Sequence, residues 1–222
     1  SLAATLGIDY YEFSHQEGHI EAIRHYSVFK DVDRFVSFHF SGGTTEAILV
    51  DNTGDHCTYE IVGGSKDIAL GQLIDRVGVS LGINFPCGEE MDQIACAYKG
   101  TLTELPKIKT DMGFFNLSGI ETRCQQLIGK VDEDSLIASI FSNTVTVVSD
   151  VTEEIGNKYD INDFIYAGGV SSSEYLRENL KKECSRNICF GSKELSGDNA
   201  VGIALLGGKT YGHKANQCNT VK

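Results

Sequence analysis

Residues 34–62 read RFVSFHFSGGTTEAILVDNTGDHCTYEIV, and this stretch decides the fold. It contains three runs rich in aromatic and β-branched residues, which are typical of strands: Arg34–Phe40, Glu46–Asp51 and Cys57–Val62. Gly, Asn and Asp, the residues that favour turns, separate each run from the next. The stretch therefore predicts three strands joined as an antiparallel meander.

The last third of the chain alternates between strand-like and helix-like segments. The predicted order of strand, helix, strand and helix is Phe164–Ala167, Ser173–Cys184, Ile188–Phe190 and Asp198–Tyr211. Such alternation indicates parallel strands with crossover helices. Together with the meander, it predicts an α/β protein with a mixed sheet flanked by helices.

The remaining segments predict five helices, one short β-prone run and one loop. Apolar residues at helical spacing predict helices over His15–Ser27, Ile68–Leu81, Glu89–Ala97, Ser118–Ile128 and Asp132–Lys158. Ile8–Ser14 is β-prone, and the polar segment Thr101–Asn116 is predicted to be a mobile loop.

Two histidines lie four residues apart in SHQEGHIEA, residues 14–22. On a helix, this spacing places the imidazoles of His15 and His19 on one face, where they can bind one metal ion. The alternative is two solvated surface histidines. Glu17 points away from His15, so the zinc-protease arrangement H-E-x-x-H is not reproduced. Asp198 precedes an Ala- and Gly-rich run, and is either a helix N-cap or an anionic third ligand.

Two glycine turns follow predicted strands. The turn at residues 41–45 offers backbone N–H groups and hydroxyls that suit a phosphate, and the alternative is a hairpin turn that needs glycine. The turn at residues 167–171 precedes a helix, where the missing Cβ lets a ligand approach the backbone. The pair suggests a nucleotide held between them. Asp75 is either a surface charge or an acceptor for ribose hydroxyls.

The composition limits the partners. Nineteen Lys and Arg against 31 Asp and Glu give a net charge of −12, which repels nucleic acid and anionic lipid. An RNA substrate would need a partner protein or a local basic patch. Seven scattered cysteines, none in a C-x-x-C pattern, indicate reduced thiols. We expect a cytoplasmic protein that does not contact the membrane.

Six motifs, in order, resemble the tRNA threonylcarbamoyl-adenosine synthase family, also called O-sialoglycoprotein endopeptidases or glycoproteases. They are H-x-E-G-H at 15–19, S-G-G-x-T at 41–45, D-K with L-G-x-x-Y/F-P-x-G at 75–88, F-S-G-x-x-T at 117–122, A-G-G-V at 167–170 and D-N-A at 198–200. The resemblance covers nearly the whole chain. It implies an actin-like ATPase fold of the ASKHA, ribonuclease H-like type.

The resemblance also implies ligands. His15, His19 and Asp198 would bind iron or zinc. ATP or an adenylate would be surrounded by Ser41, Gly42, Gly43, Thr44, Asp75, Gly88, Gly168, Gly169 and Ser173. The family transfers a threonylcarbamoyl group from its adenylate to a tRNA adenosine, in an assembly with partner proteins.

Several positions depart from the family pattern. Thr44 stands in place of His or Asn, Ser173 in place of Asn, and Glu121 in place of Lys. Gly64 and Gln72 stand where the family carries carboxylates. Some members place a metal-binding tyrosine where this chain has His39, which is therefore either a fourth ligand or a strand histidine with a backbone partner.

These observations lead to three functional hypotheses. The first is the nucleotide- and metal-binding part of a threonylcarbamoyl transferase, inactive as a fragment. The others are a non-catalytic partner-binding paralogue and a metal-dependent glycoprotein endopeptidase. A homodimer is left open. We expect residues 1–33 to end a first lobe, 34–212 to form a C-terminal lobe with a helical insertion at about 65–130, and 213–222 to be a flexible tail.

Overall fold

A computed structural model describes residues 5–8, 10–53, 57–191 and 200–219, with 212–219 described by backbone alone. In this part of the chain, seven strands form one sheet in the order β4-β5-β3-β2-β1-β6-β7. The strands are β1 (Arg34–Phe40), β2 (Thr45–Asp51), β3 (Thr58–Ser65), β4 (Thr110–Asp111), β5 (Phe114–Phe115), β6 (Asp163–Ala167) and β7 (Asn187–Phe190).

The strand pairing confirms the meander and the parallel strands predicted from sequence. β1 pairs antiparallel with β2, and β2 pairs antiparallel with β3. On its other side, β1 pairs parallel with β6, and β6 pairs parallel with β7. The sheet is therefore mixed, and β1 lies at the junction between its antiparallel and parallel parts.

Helices cover both faces of the sheet. They are α1 (His15–His25), α2 (Leu70–Ser80), α3 (Gly88–Ala97), α4 (Ser118–Leu127), α5 (Glu133–Tyr159), α6 (Glu174–Glu183) and α7 (Ala200–Asn219). A short 3-10 helix, Gly169–Ser172, leads from β6 toward α6. The amino ends of α1, α5 and α6 have side-chain caps of the residue types that are favoured there. Ser14, Asp132 and Ser173 each accept a backbone N–H from the first turn.

Alternate residues of β1 enter two separate cores, because successive side chains of a strand point to opposite faces. Val36, Phe38 and Phe40 belong to the larger core, which helices α2 to α6 cover. Phe35 belongs to a smaller core that includes Ile20 and Ile23 of α1. The face that carries Phe35 also carries His39, so this histidine is directed toward the α1 side of the sheet.

Helix α5 is the central helix of the larger core. By length and composition alone it could cross a membrane, but 78% of its most apolar stretch is buried within the protein. Burial of this kind is what a core helix requires. It stabilises the fold by about 1.5–3 kcal/mol for each large apolar side chain removed from water.

Three segments differ from the sequence-based expectation. Residues 8 and 10–14 form no strand. The predicted loop over 101–116 contains β4 and β5, and Glu154 of α5 accepts hydrogen bonds from the Thr110 hydroxyl and the Gly113 N–H. Helix α7 runs to Asn219, beyond the predicted helix end at Tyr211.

Candidate functional site

The first glycine turn closes on itself through the hydroxyl of Ser41. Ser41 Oγ accepts the N–H of Thr44 at 2.9 Å and that of Gly43 at 3.3 Å. The Ser41 N–H donates to the Thr44 carbonyl oxygen at 2.8 Å. The N–H groups of Gly43 and Thr44, which were predicted to face a phosphate, are thus bound within the turn. An incoming anion must compete with Ser41 Oγ for them.

The second glycine turn packs against the end of β1. Gly168 has a φ of +89°, and a Cβ at this position would lie 2.3 Å from the Phe40 carbonyl oxygen. Only glycine permits this approach. The two glycine turns consequently lie at the carboxyl ends of the adjacent parallel strands β1 and β6, the edge where open α/β sheets bind ligands.

The amino end of α2 meets the first turn. The Gly71 N–H donates to the Ser41 carbonyl oxygen at 3.3 Å, and the Leu70 N–H donates to Thr45 Oγ1 at 2.8 Å. A Cβ on Gly71 would lie 2.6 Å from the Ser41 carbonyl oxygen. The partial positive charge of a helix amino end is therefore placed beside Gly42, where it favours an anion.

A cavity of about 650 Å³ opens between these elements. Five of the nine predicted nucleotide-binding residues line it: Gly42, Asp75, Gly88, Gly169 and Ser173. The other four, Ser41, Gly43, Thr44 and Gly168, belong to the same two turns without lining it. Apolar side chains, among them Ile74, Phe85 and Phe141, provide part of the wall. The volume and the mixture of apolar walls with a few polar groups are typical of a small-molecule site.

The carboxylate of Asp75 lies at the wall of this cavity. One of its oxygens accepts the Cys87 N–H at 2.9 Å, which fixes the side chain between α2 and the turn before α3. The predicted site residue Gly88 follows directly in the chain. Asp75 is thus held in place by the protein while it lines the cavity, as an acceptor for ligand hydroxyls should be.

The hydroxyl of Ser173 is already occupied by the protein. It donates to Asp92 and accepts the Leu176 N–H at 3.1 Å. Asp92, which is 9% exposed, also accepts the N–H groups of Glu174 at 2.8 Å and Tyr175 at 3.2 Å. Ser173 therefore lines the cavity mainly as the cap of α6. The sequence analysis missed Asp92, because nothing in its local sequence distinguishes it from other carboxylates on α3.

The histidines of α1 converge as their spacing predicts. His15 Nε2 and His19 Nε2 are 2.9 Å apart, with the His15 side exposed and His19 buried. Two nitrogens bound to one tetrahedral zinc lie about 3.3 Å apart, so the pair fits two positions around a cation. Among the residues that the structure describes, no three His, Cys, Asp and Glu side chains lie close enough to hold one cation.

His39 approaches this pair from the sheet. Its ring centroid is 6.1 Å from that of His19. Burial is the main cause that lowers the pKa of His39; His19 and His15 add to it, and the Glu46 carboxylate acts in the opposite sense. A lowered pKa favours the neutral imidazole, which is the form that binds metals.

Asp198 lies outside the described residues. Helix α7 begins two positions later, at Ala200, and crosses α1 at a very short distance. A Cβ on Gly202 would lie 1.7 Å from the Gly18 carbonyl oxygen, and Gly18 lies between the two histidines of α1. The first turn of α7 is therefore packed against the part of α1 that carries His15 and His19.

Glu46 is a second residue that the sequence analysis missed. It is the direct cross-strand partner of His39, and its Oε2 accepts the Gln16 Nε2–H at 2.8 Å. The period of two along β2 could have placed Glu46 on the His39 face, had the register of the meander been known.

Glu17 has a structural role. Ser14 Oγ accepts the Glu17 N–H at 3.2 Å, and the Glu17 carboxylate accepts the Ser14 N–H. This reciprocal capping box stabilises the start of α1. Glu17 is thus engaged at the start of α1, in agreement with the expectation that it does not serve as the base of a zinc protease.

Two of the substituted positions have found local partners. Glu121 pairs with Arg76 across α4 and α2 at 3.3 Å. Gln72 Oε1 accepts the Ala69 N–H at 3.2 Å at the start of α2. Gly64 has a φ of +133° and a neighbouring backbone oxygen 2.3 Å from where its Cβ would lie, so no side chain is tolerated there.

Known proteins with similar sequences share one description. The chain is 32% identical over 208 residues to a tRNA N6-adenosine threonylcarbamoyltransferase of Streptococcus agalactiae serotype V. The aligned region covers 86% of this chain and 59% of the relative. A protein of the same name from Lactobacillus gasseri is 30% identical over 223 residues, covering 92% and 61%. The chain thus spans about three-fifths of the length of these relatives.

Solved structures with the same fold include T. kodakarensis HypF, with a TM-score of 0.71 and 12% identity over 96% of this chain and 38% of that chain. Another is component A of the Acidaminococcus fermentans (R)-2-hydroxyglutaryl-CoA dehydratase, with a TM-score of 0.59 and 19% identity over 91% of this chain and 71% of that one. At such low identity the likeness concerns the fold alone, and it confirms the ASKHA-like α/β class. The family model described as "TsaD: tRNA N6-adenosine threonylcarbamoyltransferase" matches residues 1–205, and the chain belongs to this family.

Proposed function

We propose that this chain is the nucleotide- and cation-binding part of a tRNA threonylcarbamoyl transferase. The reaction moves a threonylcarbamoyl group from its adenylate to the amine of a tRNA adenosine. The observation that carries the proposal is the placement of two ligand-binding features around the end of one strand. The glycine turns and the cavity adjoin the end of β1, and His39 of the same strand belongs with His15 and His19 to what we call the histidine cluster.

The cavity would hold ATP or the adenylate. Gly42 and Gly169 line it, and their lack of side chains lets a phosphate approach the backbone closely. The amino end of α2 adds favourable charge on the same side. Asp75, fixed by the Cys87 N–H, would accept hydrogen bonds from the ribose hydroxyls.

The histidine cluster would hold iron or zinc. His15 and His19 offer two imidazole nitrogens 2.9 Å apart, and His39 and Asp198 would supply further ligands. When bound, such a cation supplies Lewis acidity toward the carbamoyl oxygen.

The chain itself contributes mainly positioning. Backbone N–H groups at the turns would hold the adenylate phosphate while the adenosine amine attacks the carbamoyl carbon and AMP leaves. Charge on the departing phosphate would be stabilised by these groups and by the helix amino end. Fixing both reactants in one geometry would lower the barrier further, because the reaction then proceeds within one complex.

The tRNA would bind with the help of partner proteins. A net charge of −12 opposes the approach of a polyanion, so a partner protein or a local basic patch would have to supply a basic surface. We place this assembly in the cytoplasm, without membrane contact, and whether two copies of the chain pair within it is left open.

Transfer of labelled threonine to tRNA tests the proposal. The complete protein that contains this chain, supplied with its partner proteins, ATP, bicarbonate and the activating enzyme, should modify tRNA. Asp75→Asn and His19→Ala should each reduce transfer by at least tenfold. Undiminished transfer by both variants would contradict the assignment of this site.

A non-catalytic paralogue is the alternative that particular residues favour. The Ser173 hydroxyl is bound to Asp92, and Glu121 is bound to Arg76, so neither side chain contacts a ligand freely. Such a protein would bind nucleotide with no transfer to tRNA. Cleavage of a glycoprotein that a chelator abolishes would instead indicate the endopeptidase. The engagement of Glu17 in the capping box argues against that activity, because the residue is not available as a base.

Metal binding by the His39→Ala variant tests the fourth ligand. We expect its zinc affinity, measured by chelator competition, to fall by about tenfold or more, because loss of a direct ligand should cost at least as much as loss of a residue that only orients a ligand. His25→Ala is the matched control, since His25 is an exposed histidine at the other end of α1. Equal affinities of His39→Ala and the parent would remove His39 from the ligand set.

A further inference from the structure

Glu46 lies directly beside the histidine cluster. It faces His39 across the antiparallel pair of β1 and β2. Direct partners on such strands project from the same face, with Cβ atoms about 4.5–5.5 Å apart. Glu46 is also half-buried, so its charge is less screened than that of a carboxylate in open water.

The carboxylate of Glu46 also reaches α1. Its Oε2 accepts the side-chain N–H of Gln16 at 2.8 Å, and Gln16 directly follows His15 in the chain. One side chain thus links the helix that carries His15 and His19 with the strand pair that carries His39. The contact lies at the end of α1 that carries His15, next to the core packing of Ile20 and Ile23 against the sheet.

We propose that Glu46 is a positioning residue of the histidine cluster. Its carboxylate holds α1 over β1 through Gln16, and its negative charge raises the affinity of the cluster for a divalent cation. This inference rests on the cation site of the proposed function. It assigns to Glu46 no direct bond to the cation, because carboxylates beside metal-bound histidines act by orienting them and by balancing charge.

Zinc titration of the whole protein against a competing chelator tests the role of Glu46. Glu46→Gln keeps an oxygen that can accept from Gln16 and removes only the charge. We expect a 10- to 100-fold loss of zinc affinity with one binding site retained, the range usual for residues behind metal ligands. Gln16→Ala removes the link and keeps the charge, and we expect a smaller loss. The thermal midpoint of the zinc-free protein should change little in either variant.

Controls separate this inference from the cation site itself. Glu60→Gln removes one charge from the exposed part of neighbouring β3, and we expect parental affinity. An equal loss in Glu60→Gln and Glu46→Gln would reduce the effect to net charge and overturn the inference. If His19→Ala loses zinc binding while Glu46→Gln and Gln16→Ala do not, Glu46 has no such role but the cation site stands. If His19→Ala binds as the parent does, the cation site itself is wrong. Should Glu46→Gln fail to fold, Glu46→Asp and Gln16→Ala test the link to α1, because both keep the charge; each should then lose zinc affinity relative to Glu60→Gln, and parental affinity in both would overturn the inference.

Discussion

Asp67 shows how one exposed side chain can organise two distant segments. Its carboxylate accepts the N–H groups of Ile68 at 2.7 Å, Leu117 at 2.8 Å and Ser118 at 3.0 Å. It thereby connects the approach to α2 with the start of α4. Burial acts to raise the pKa of Asp67, but these hydrogen bonds outweigh it and place the pKa well below its ordinary value of 3.8.

Asp67→Asn should lower stability in a pH-dependent manner. A carboxyl whose pKa is depressed on folding stabilises the protein above about pH 4, and this stabilisation is lost as the pH falls. We expect the variant to be less stable by about 1 kcal/mol at pH 7, after allowance for solvent screening. Urea unfolding should show a smaller difference in unfolding free energy between the parent and the variant at pH 3.5 than at pH 7. Asp31→Asn, at an exposed position, should show no such change, and a gap independent of pH would contradict the role given to Asp67.

For single residues, the sequence predicts which side chains can bind a ligand better than it predicts which distant residues they contact. His15 and His19 were identified from their spacing because both lie on one helix. Glu46 and Asp92 were missed because their roles depend on partners 30 and about 80 positions away. Ser173 was predicted from the family pattern as a ligand-binding residue, yet its hydroxyl is occupied by a residue that no local pattern identifies.

At the scale of elements, helices α1 and α7 cross with their backbones close together. Gly18 and Gly202 let the two helix backbones touch. Around this point, Lys209 of α7 and Arg24 of α1 both bind the buried carboxylate of Glu21. The crossing therefore combines close backbone approach with two ion pairs to the buried Glu21 carboxylate, and it determines how α7 packs against α1.

Gly202→Ala should be more damaging than Gly18→Ala. The new Cβ of Gly202→Ala would collide with a backbone oxygen that cannot move aside, whereas that of Gly18→Ala would meet the flexible end of Ile203. We expect Gly202→Ala to lose about 1–3 kcal/mol of stability, as overpacked sites do, and to weaken zinc binding.

Gly208→Ala provides the control in the same helix. Nothing lies within 4 Å of a Cβ at this exposed position. Alanine should therefore increase the stability of the protein by about 0.5–1 kcal/mol through its higher helix propensity. Chemical denaturation of the three variants would test this order. Equal effects at Gly202 and Gly208 would contradict the close crossing.

Elements with strong local patterns were predicted well. The meander, the parallel strands and helices α2 to α6 appear where their apolar periodicity placed them. The hairpin of β4 and β5 was not predicted, because each strand has only two residues and owes its place to β3 and to Glu154 of α5. A strand of two residues is too short to show an alternating pattern in the sequence, so it is recognised only from its tertiary contacts.

In the whole molecule, the cavity lies where several helices and turns meet, and no single element encloses it. The turns after β1 and β6, helix α2 and the region before α3 all contribute to its wall. A ligand bound there would contact the turns that follow β1 and β6 and helices α2, α3 and α5 at the same time. Because only the folded state presents this arrangement, ligand binding should stabilise the entire fold.

ADP should raise the thermal midpoint of the protein. At 100 times its Kd, a ligand that binds only the native state adds about 2.7 kcal/mol. For a chain of this size, each kcal/mol raises Tm by about 2–4 °C, so we expect a rise of about 5–10 °C. Asp75→Asn, which keeps an oxygen for the Cys87 N–H, should show a clearly smaller rise when measured against its own midpoint without ADP. An equal rise in both proteins would contradict the role of Asp75 in binding.

The position of β1 sets a limit on insertions and deletions. His39 and Ser41 are separated by one residue; the first points to one face of the sheet, and the second begins the first glycine turn. Adding or removing a single residue between Arg34 and Phe40 would rotate every later side chain of the strand to the opposite face. Such a change would exchange an imidazole for a phenyl ring beside α1. Length variation among related sequences should therefore be absent from this strand and concentrate in surface connections such as residues 101–109.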